Sequence, residues 1–261
     1  MFRGAFGSLL RESACQPPCD NVEKCTRRAS CAYARIFKPI DPRVPDEFAD
    51  APRPFVLRTR HLDGNFLQPG DPFHVDVHLF TLVDQIAGHF QEVFSRFETA
   101  GFGPRRSRAA LESVIGPSTL ALPLEETNLG LTAIQVEFAA PTELKHCGLI
   151  IEQPSFYTLW SRACDRIAAL RTLYGEGPPD IDCRGLRDQA RKIQLSHHKL
   201  RHIEKQRRSS RTGQVHPLGG FVGSAEYQGD LDPFLPHLQA AHWTGIGRQT
   251  VWGKGEIAIR F

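Results

Sequence analysis

The sequence predicts an α+β protein in which two sandwiches of helices on antiparallel strands follow one another. Short stretches alternate between apolar and polar residues, as strands with one buried face do. Longer stretches repeat apolar residues three and four apart, as amphipathic helices do. The two patterns come in a similar order in both halves of the 261-residue chain, and 41% apolar residues are enough for a sizeable core.

The first half is predicted to contain two helices and three strands. Its long helix carries an apolar stripe and ends at Gly101, a residue suited to closing a helix. The order of elements is that of a ferredoxin-like βαββαβ unit without its first strand, and we place this domain at residues 1–128. The elements are a helix from Phe2, strands at 54–60 and 73–82, a helix at 83–100 and a strand at 105–115.

The second half repeats this organisation and is placed at residues 129–261. Asp232 followed by Pro233 predicts a helix start, because aspartate is a good N-cap and proline fits the first helical position. The result is a second ferredoxin-like, RRM-like domain. Its elements are a strand at 131–139, a helix at 156–174, a strand at 218–227, a helix at 232–241 and a strand at 251–261.

A basic insert follows the long helix of the second half. Between Arg184 and Arg211 the chain has ten Arg or Lys against two acidic residues, which leaves −5 for the rest of a chain whose total is +3. Apolar residues at helical spacing from Leu186 to Leu200 predict a helical finger over 185–213. The charge favours nucleic acid, with a solvated helix face as the alternative. The predicted RNA-binding residues are Arg187, Arg191, Lys192, His198, Lys199, Arg201, Lys205, Arg207, Arg208 and Arg211.

A glycine-rich loop and a strand end the sequence. Four glycines lie between residues 245 and 255, and backbone N–H groups exposed by glycine can form an anion site. A strand follows the loop where the phosphate loops of nucleotide-binding proteins need a helix. A tight connection between strands and a phosphate-binding loop both stay open. On the second interpretation the RNA-binding residues include Gly245, Gly247, Arg248, Gly253, Lys254 and Gly255.

Four cysteines lie in a loop near the start of the chain. Cys15, Cys19, Cys25 and Cys31 offer enough thiols for a structural zinc or an iron–sulfur cluster, although their spacing is not the usual C-x2-C pair. Four free thiols are the alternative. Seven cysteines, an odd number, without an export signal favour a reducing cytoplasm. No apolar run is long enough to span a membrane.

Histidines are the candidate proton carriers. His242 adjoins Trp243 and the glycine-rich loop, which places it well for chemistry there, and Trp243 could stack on a base. His74 and His78 resemble a metal-ligand pair. On a strand they are about 13 Å apart, whereas two ligands of one zinc ion lie about 3 to 4 Å apart, so they cannot share one ion.

Motifs at both ends of the chain point to one family. The pattern G-x-G-x5-G-x-G before the last strand resembles the C-terminal signature of the repeat-associated mysterious protein superfamily. More closely, the chain resembles the CRISPR-associated precursor-crRNA processing endoribonucleases. The matching stretches are 218–238, 242–248 and 251–255 on the C-terminal side, and 2–7, 31–37 and 54–57 on the N-terminal side.

The resemblance implies tandem ferredoxin-like domains that bind the hairpin of a CRISPR repeat. It also implies cleavage without a metal: the upstream 2′-OH attacks the scissile phosphate and leaves a 2′,3′-cyclic phosphate and a 5′-OH. The basic finger is similar to that of variant enzymes in type IV CRISPR systems. Retained crRNA and other effector-complex subunits would be the partners. A non-catalytic crRNA-binding subunit of the same superfamily is the alternative.

The resemblance leaves the general base to be found. Relatives often carry a histidine in the first helix, where this chain has Gly7-Ser8-Leu9. Arginine can hold the 2′-OH and stabilise the pentacoordinate phosphate. The expected catalytic residues are Arg3 and Arg11 near the scissile phosphate, with His242 or His61 as the proton carrier.

Overall fold

Two units make up the protein in the computed structural model. The first is Met1–Phe55, Leu79–Leu120 and Leu173–Gly175, and the second is Val56–His78, Ala121–Thr172 and Glu176–Phe261. The structure describes residues 2–15, 21–22, 24–39, 51–81, 85–103, 105–204, 206–208 and 215–261, without the side chains of 206–208 and 215–217. No helix in these ranges is long and apolar enough to cross a membrane.

The first half of the chain is mostly helical. Its two strands, β1 and β2, pair with each other. The predicted long helix is present as two helices in succession, and Gly101 ends the second with a φ of 65°. The elements are α1 (Phe2–Ala14), α2 (Ala32–Phe37), β1 (Phe55–Arg58), β2 (Asp76–Leu79), α3 (Gln85–Ser95) and α4 (Phe97–Ala100).

Aromatic rings form the core of the first unit. Phe6 on α1 is fully buried and stacks on Phe90 of α3 at 4.2 Å between ring centroids. Phe55 contacts both rings, at 5.6 Å and 5.2 Å. The apolar stripes predicted on the first and third helices therefore face each other, which explains why both helices form here.

The strand predicted at 105–115 is wrong. Only an isolated bridge between Phe102 and Ser107 forms there, and residues 108–124 contain no helix or strand. Ile115 is 99% exposed and Val114 53% exposed, so these apolar residues have no core to face. Residues with a preference for strands form one only where a partner strand and a covering layer exist.

A four-stranded antiparallel sheet is the centre of the second unit, with the strand order β10-β3-β9-β6. Helices α5 and α7 connect β3 to β6 and β9 to β10. The result is the βαββαβ order of the predicted ferredoxin-like domain. The elements are β3 (Ala133–Thr142), β4 (Leu144–His146), β5 (Leu149–Ile151), α5 (Phe156–Tyr174), α6 (Cys183–Ala190), β6 (Gln194–Ile203), β7 (Gln206–Arg208), β8 (Val215–Pro217), β9 (Gly220–Gln228), α7 (Leu235–Thr244) and β10 (Ile257–Arg260).

The helical finger predicted at 185–213 is also wrong. Of its described residues, only those at the start are helical, as α6, and the chain then forms β6, the second strand of the ferredoxin-like unit. A short hairpin, β7–β8, extends between β6 and β9. The register of β6 against β9 shifts between Leu195 and His197, and this bulge breaks the strand alternation and leaves apolar residues at an apparently helical spacing.

The last helix and strand differ from the prediction at their starts. Asp232 begins a 3-10 turn, and its carboxylate accepts N–H groups of another segment: Leu131 at 3.0 Å, Gly130 at 2.7 Å and Leu129 at 2.9 Å. These bonds lower the pKa of Asp232. The final strand is limited to Ile257–Arg260, because Thr250–Trp252 forms another 3-10 turn.

Candidate functional site

Two arginines bind the carbonyl end of α7. Arg58, at the end of β1, donates to the carbonyls of His242 at 2.7 Å and Trp243 at 3.3 Å. Arg166 on α5 donates to the carbonyl of Thr244 at 2.8 Å. The last carbonyls of a helix have no partner within the helix and carry a partial negative charge, so cations stabilise them. The end of α7 is therefore fixed from two other elements of the second unit.

Arg58 is also part of a buried ion-pair group. The residue is only 7% exposed, and its Nη1 lies 3.6 Å from Oε2 of Glu256, just before β10. Arg60 approaches the other oxygen of Glu256 at 3.4 Å. Burial lowers the pKa of Arg58, and the Glu256 carboxylate opposes that shift. One carboxylate thus joins β1 and the turn after it to the last strand.

His242 lies at the end of α7 that Arg58 binds, and one of its ring nitrogens forms a hydrogen bond. Its Nδ1 is 2.7 Å from the carbonyl oxygen of Ile257. A carbonyl only accepts hydrogen bonds, so Nδ1 carries the proton and Nε2 of the neutral ring has a free lone pair. The ring stands at 89° to the indole of Trp243, with 5.2 Å between centroids. This tautomer is the one that a proton acceptor at Nε2 requires.

His78 adjoins the same tryptophan, and sequence patterns did not single it out for this position. Its Nδ1 is 3.0 Å from the Trp243 carbonyl, and its ring centroid is 5.0 Å from that of the indole. Burial lowers the pKa of His78, and the charge of Arg58 lowers it further, against the raising effects of the Trp243 carbonyl and of Asp76. His78 is therefore neutral at neutral pH, with its own lone pair at Nε2.

The glycine-rich loop is a closed backbone structure. The N–H of Ile246 donates to the carbonyl of Gly255 at 2.9 Å, and the N–H of Gly255 donates to the Pro141 carbonyl at 3.2 Å. A Cβ on Gly255 would lie 1.9 Å from the oxygen of Ile246, and one on Gly247 would lie 2.3 Å from the oxygen of Glu143. The glycines therefore allow close backbone packing, which favours the tight connection over an open cradle of N–H groups.

The two cations of this loop have partners inside the protein. Arg248 forms an ion pair with the buried Glu143 at 2.5 Å, and its side chain is still 48% exposed. Lys254 is only 6% exposed, and its Nζ donates to the carbonyl of Gly219 at 2.8 Å and to Oε1 of Gln249 at 3.0 Å. Of the two, Arg248 has the geometry to reach a phosphate.

Three of the predicted RNA-binding residues of the insert lie on an edge strand rather than on a helix. His198, Lys199 and Arg201 are exposed on β6, which forms hydrogen bonds to β9 and ends the strand order of the sheet. Arg207 and Arg208 belong to β7, whose side chains are outside the described set, and Lys205 and Arg211 lie outside the described residues. The described part of this basic surface is therefore the β6 edge of the sheet.

The basic residues of α6 and the following turn are partly paired. Arg187 donates to Asp165 on α5 at 2.6 Å. Arg191 forms an ion pair with Asp188, and its guanidinium lies 4.5 Å from the ring centroid of Tyr157. These contacts fix α6 on α5. Lys192, in the turn between α6 and β6, is exposed.

The predicted catalytic residues are divided between the two units. Arg3 and Arg11 lie on α1 in the first unit, where the guanidinium of Arg3 is 4.8 Å from the ring centroid of Phe37. His242 and His61 lie in the second. His61 is exposed in a 3-10 turn after β1, where its ring stacks on that of His74 at 4.0 Å between centroids.

The cysteine loop does not support the predicted zinc. Cys15 is buried, and its Sγ accepts a weak hydrogen bond from Arg27 at 3.5 Å, while Cys25 and Cys31 are partly exposed. Cys19 lies outside the described residues. Among the residues that are described, these thiols form no group of three with the ligand spacing of a metal site.

The second unit is thus a ferredoxin-like domain with a basic sheet edge and a histidine beside its closing loop, the construction of an RNA-binding α+β protein. Residues 136–257 match the model of the family described as CRISPR-associated endoribonuclease Cas6, and residues 1–125 match a family described as AF_1859_N, N-terminal domain. The family that the sequence resembles is confirmed: residues 136–257 belong to the Cas6 endoribonucleases.

Solved structures agree with this fold. A Cas6 product complex, of the protein TTHB231 of Thermus thermophilus, is similar over 98% of this chain and 91% of its own, with a TM-score of 0.59 and 15% identity. A partial Cas6-RT-Cas1–Cas2 complex is similar over 79% of this chain and 38% of its own, with a TM-score of 0.51 and 15% identity. No curated protein sequence matches the chain.

Proposed function

We propose that this chain is an endoribonuclease that binds the repeat hairpin of CRISPR precursor transcripts and cleaves it without a metal ion. The observation that carries the proposal is the tautomer of His242: Nδ1–H is held by the Ile257 carbonyl at 2.7 Å, which leaves Nε2 as a proton acceptor. This histidine lies within residues 136–257, the part of the chain that matches the Cas6 family.

The reaction is an internal transfer at phosphorus. His242 Nε2 takes the proton of the upstream 2′-OH, and the 2′ oxygen attacks the scissile phosphate. The bond from phosphorus to the 5′ oxygen breaks, that oxygen takes a proton from solvent water, and His242 returns its proton to solvent. The products are a 2′,3′-cyclic phosphate and a 5′-OH. Arg3 and Arg11 of α1 are proposed to stabilise the charge on the pentacoordinate phosphorus. His61 is the alternative proton carrier.

The basic edge of the second unit is proposed to hold the hairpin. A-form RNA is recognised through its backbone, its 2′-OH groups and its shape, which suits a row of cations along an exposed strand. The proposed contacts are Lys199 and Arg201 of β6, Arg208 of β7 and Arg248 of the closing loop. Firm contact to the hairpin would keep the cleaved crRNA bound, as a subunit of a cytoplasmic effector complex requires.

Substitution of the two candidate histidines tests the mechanism. We expect His242→Ala to slow cleavage of a repeat RNA by about 10² to 10⁴-fold, the usual contribution of a general base. Affinity for the uncleaved RNA should stay within about twofold, because no phosphate contact is lost. The comparison is single-turnover cleavage by wild type, His242→Ala and His61→Ala, with His89→Ala as the control. An unchanged rate in His242→Ala would remove His242 from the mechanism, and a loss confined to His61→Ala would assign its role to His61.

A further inference from the structure

A second cluster of side chains lies in the segment between β1 and β2. His61, His74 and Asp76 each offer one ligand atom, and these atoms all lie within 4.8 Å of one another. All three side chains are exposed. His74 and His78 are too far apart on an extended chain to share an ion, and His61 supplies the nearby imidazole from the turn after β1.

The backbone around His61 is held in place. The N–H of Leu62 donates to the carbonyl of Thr59 at 3.0 Å, and the N–H of Asp63 donates to the carbonyl of Arg60 at 2.9 Å. Nδ2 of Asn65 donates to the carbonyl of His61 itself at 2.7 Å. The turn therefore presents the His61 ring toward the strand that starts at Asp76 without help from a bound ion.

The tautomer of His61 is already that of a metal ligand. Its Nε2 lies 3.0 Å from the carbonyl oxygen of His74, so Nε2 carries the proton and Nδ1 has the lone pair. Histidines that bind metals commonly donate their other N–H to a backbone carbonyl or a carboxylate, which fixes the ring. Here that second contact comes from the backbone of the next ligand, and the two rings stack at 4.0 Å between centroids and 10° between planes.

We propose that His61, His74 and Asp76 bind a divalent transition-metal ion of the zinc, cobalt or nickel class. Two imidazoles and one carboxylate are a typical donor set for such ions, with water in the remaining positions of an exposed site. Ligand distances of about 2.0 to 2.2 Å require the donor atoms to approach to about 3 to 4 Å. The site closes by about 1 Å, and the His74 ring turns out of the stack so that its lone pair points at the ion.

The ion would cross-link the turn after β1 to the start of β2. Residues 63–75 between them contain Phe66, which is 94% exposed, and no helix or strand. A cross-link at the base of this segment restricts its ends. Cleavage with His242 as the base uses no metal and none of these three residues. A His61 Nδ1 bound to an ion cannot accept a proton, so His61 could not act as the alternative proton carrier while the ion is bound.

Titration of the purified full chain with Co²⁺ alone tests the site, with binding followed by visible absorption and calorimetry. Wild type should bind one Co²⁺ with the spectrum of nitrogen and oxygen ligands and gain thermal stability. His74→Ala and Asp76→Asn should each weaken this binding by at least about tenfold. The matched control is His89→Ala, which removes a partly exposed histidine beside another carboxylate, Glu92 at 3.9 Å, and should leave Co²⁺ binding unchanged.

Two results would overturn the proposal. The first is Co²⁺ binding that His74→Ala and Asp76→Asn leave unaltered, or that has the spectrum of thiolate ligands. The second is no saturable binding by wild type. Since all three ligands are exposed, the variants should unfold at the wild-type temperature without metal, which separates loss of a ligand from loss of the fold. The readout is binding of the ion, so failure here leaves the RNA cleavage proposal untouched.

Discussion

Loss of Arg58 should destabilise the second unit. Arg58→Ala removes the donor to two carbonyls at the end of α7 and leaves Glu256 without its buried partner. Breaking a buried pair on one side costs about 3 kcal/mol or more. Chemical denaturation should show this loss. Arg60→Ala is the control, because Arg60 contacts the same carboxylate but is 52% exposed, and it should cost less than about 1 kcal/mol.

An unaltered free energy of unfolding in Arg58→Ala would mean that the carbonyls of α7 find water or another donor. The fixed position of His242 would then need a different explanation, because the Arg58 guanidinium is bonded to the His242 carbonyl itself.

His237 should make the protein acid-sensitive. It is 1% exposed on α7, neither ring nitrogen has a hydrogen-bond partner among the described residues, and burial lowers its pKa to about 4. The unfolded chain binds the proton first as the pH falls below 6.5, the ordinary value of its pKa. The free energy of unfolding should therefore fall between pH 6.5 and about 4, by about 3 kcal/mol from this group.

Denaturation curves at several pH values check this dependence. His237→Leu keeps an apolar contact with Trp160, whose ring centroid is 5.6 Å away, and should flatten the curve in that range. His89→Ala should keep the wild-type slope. A slope that is the same in wild type and His237→Leu would show that another group controls acid stability.

The residues of the site differ in how far the sequence reveals them. His242 is predictable because it adjoins a tryptophan and a glycine-rich loop within a few residues. Arg58 is not, because its carbonyl partners lie 184 and 185 residues further along the chain, and His78 reaches Trp243 across 165. Such long-range hydrogen bonds leave no periodic signal, and only the folded chain shows them.

At the scale of elements, the basic insert shows what limits pattern recognition. The charge of 185–213 is predicted to bind nucleic acid, and the structure places two of its cations, Lys199 and Arg201, on an edge strand. The prediction of one long helix was wrong for two reasons. The first residues of the insert do form a helix, α6, and the bulge between Leu195 and His197 shifts the apolar alternation of the following strand by one residue. A βαββαβ unit needs four strands, and the predicted second half had three, which is the signal that a strand lay in the insert.

Neutral substitutions on this edge test its role. The double variant Lys199→Gln, Arg201→Gln should bind the RNA repeat hairpin roughly tenfold more weakly than wild type. The slope of the logarithm of the binding constant against the logarithm of the salt concentration should become shallower by about 2, one for each lost phosphate contact. The control is Arg260→Gln, which removes an exposed cation from β10 at the opposite edge of the same sheet. Binding at two or more salt concentrations gives both quantities.

An affinity and salt slope equal to those of wild type in the double variant would place the RNA elsewhere. The same loss in Arg260→Gln would show that total charge, not the β6 edge, controls binding. Either outcome contradicts the proposal that the β6 edge binds the RNA repeat hairpin.

At the scale of the molecule, the α+β class and the second ferredoxin-like domain follow from the sequence, because alternating strands and amphipathic helices in sequence order define that topology. The first half is less predictable. Its core is a set of stacked phenylalanines around Phe6, and the apolar residues Val114 and Ile115 face solvent. Apolar residues that favour strands identify a strand only where the fold supplies a neighbour.

The central claim concerns the reaction, and one measurement tests it most directly. Purified protein is incubated with an RNA that contains a CRISPR repeat from its own genome, in the presence of EDTA, and the ends of the products are identified. We predict cleavage at a single position, with a 2′,3′-cyclic phosphate on one product and a 5′-OH on the other. RNA that is bound but stays intact would contradict the proposed endoribonuclease activity and indicate a crRNA-binding subunit. Cleavage that EDTA abolishes would contradict the metal-independent mechanism.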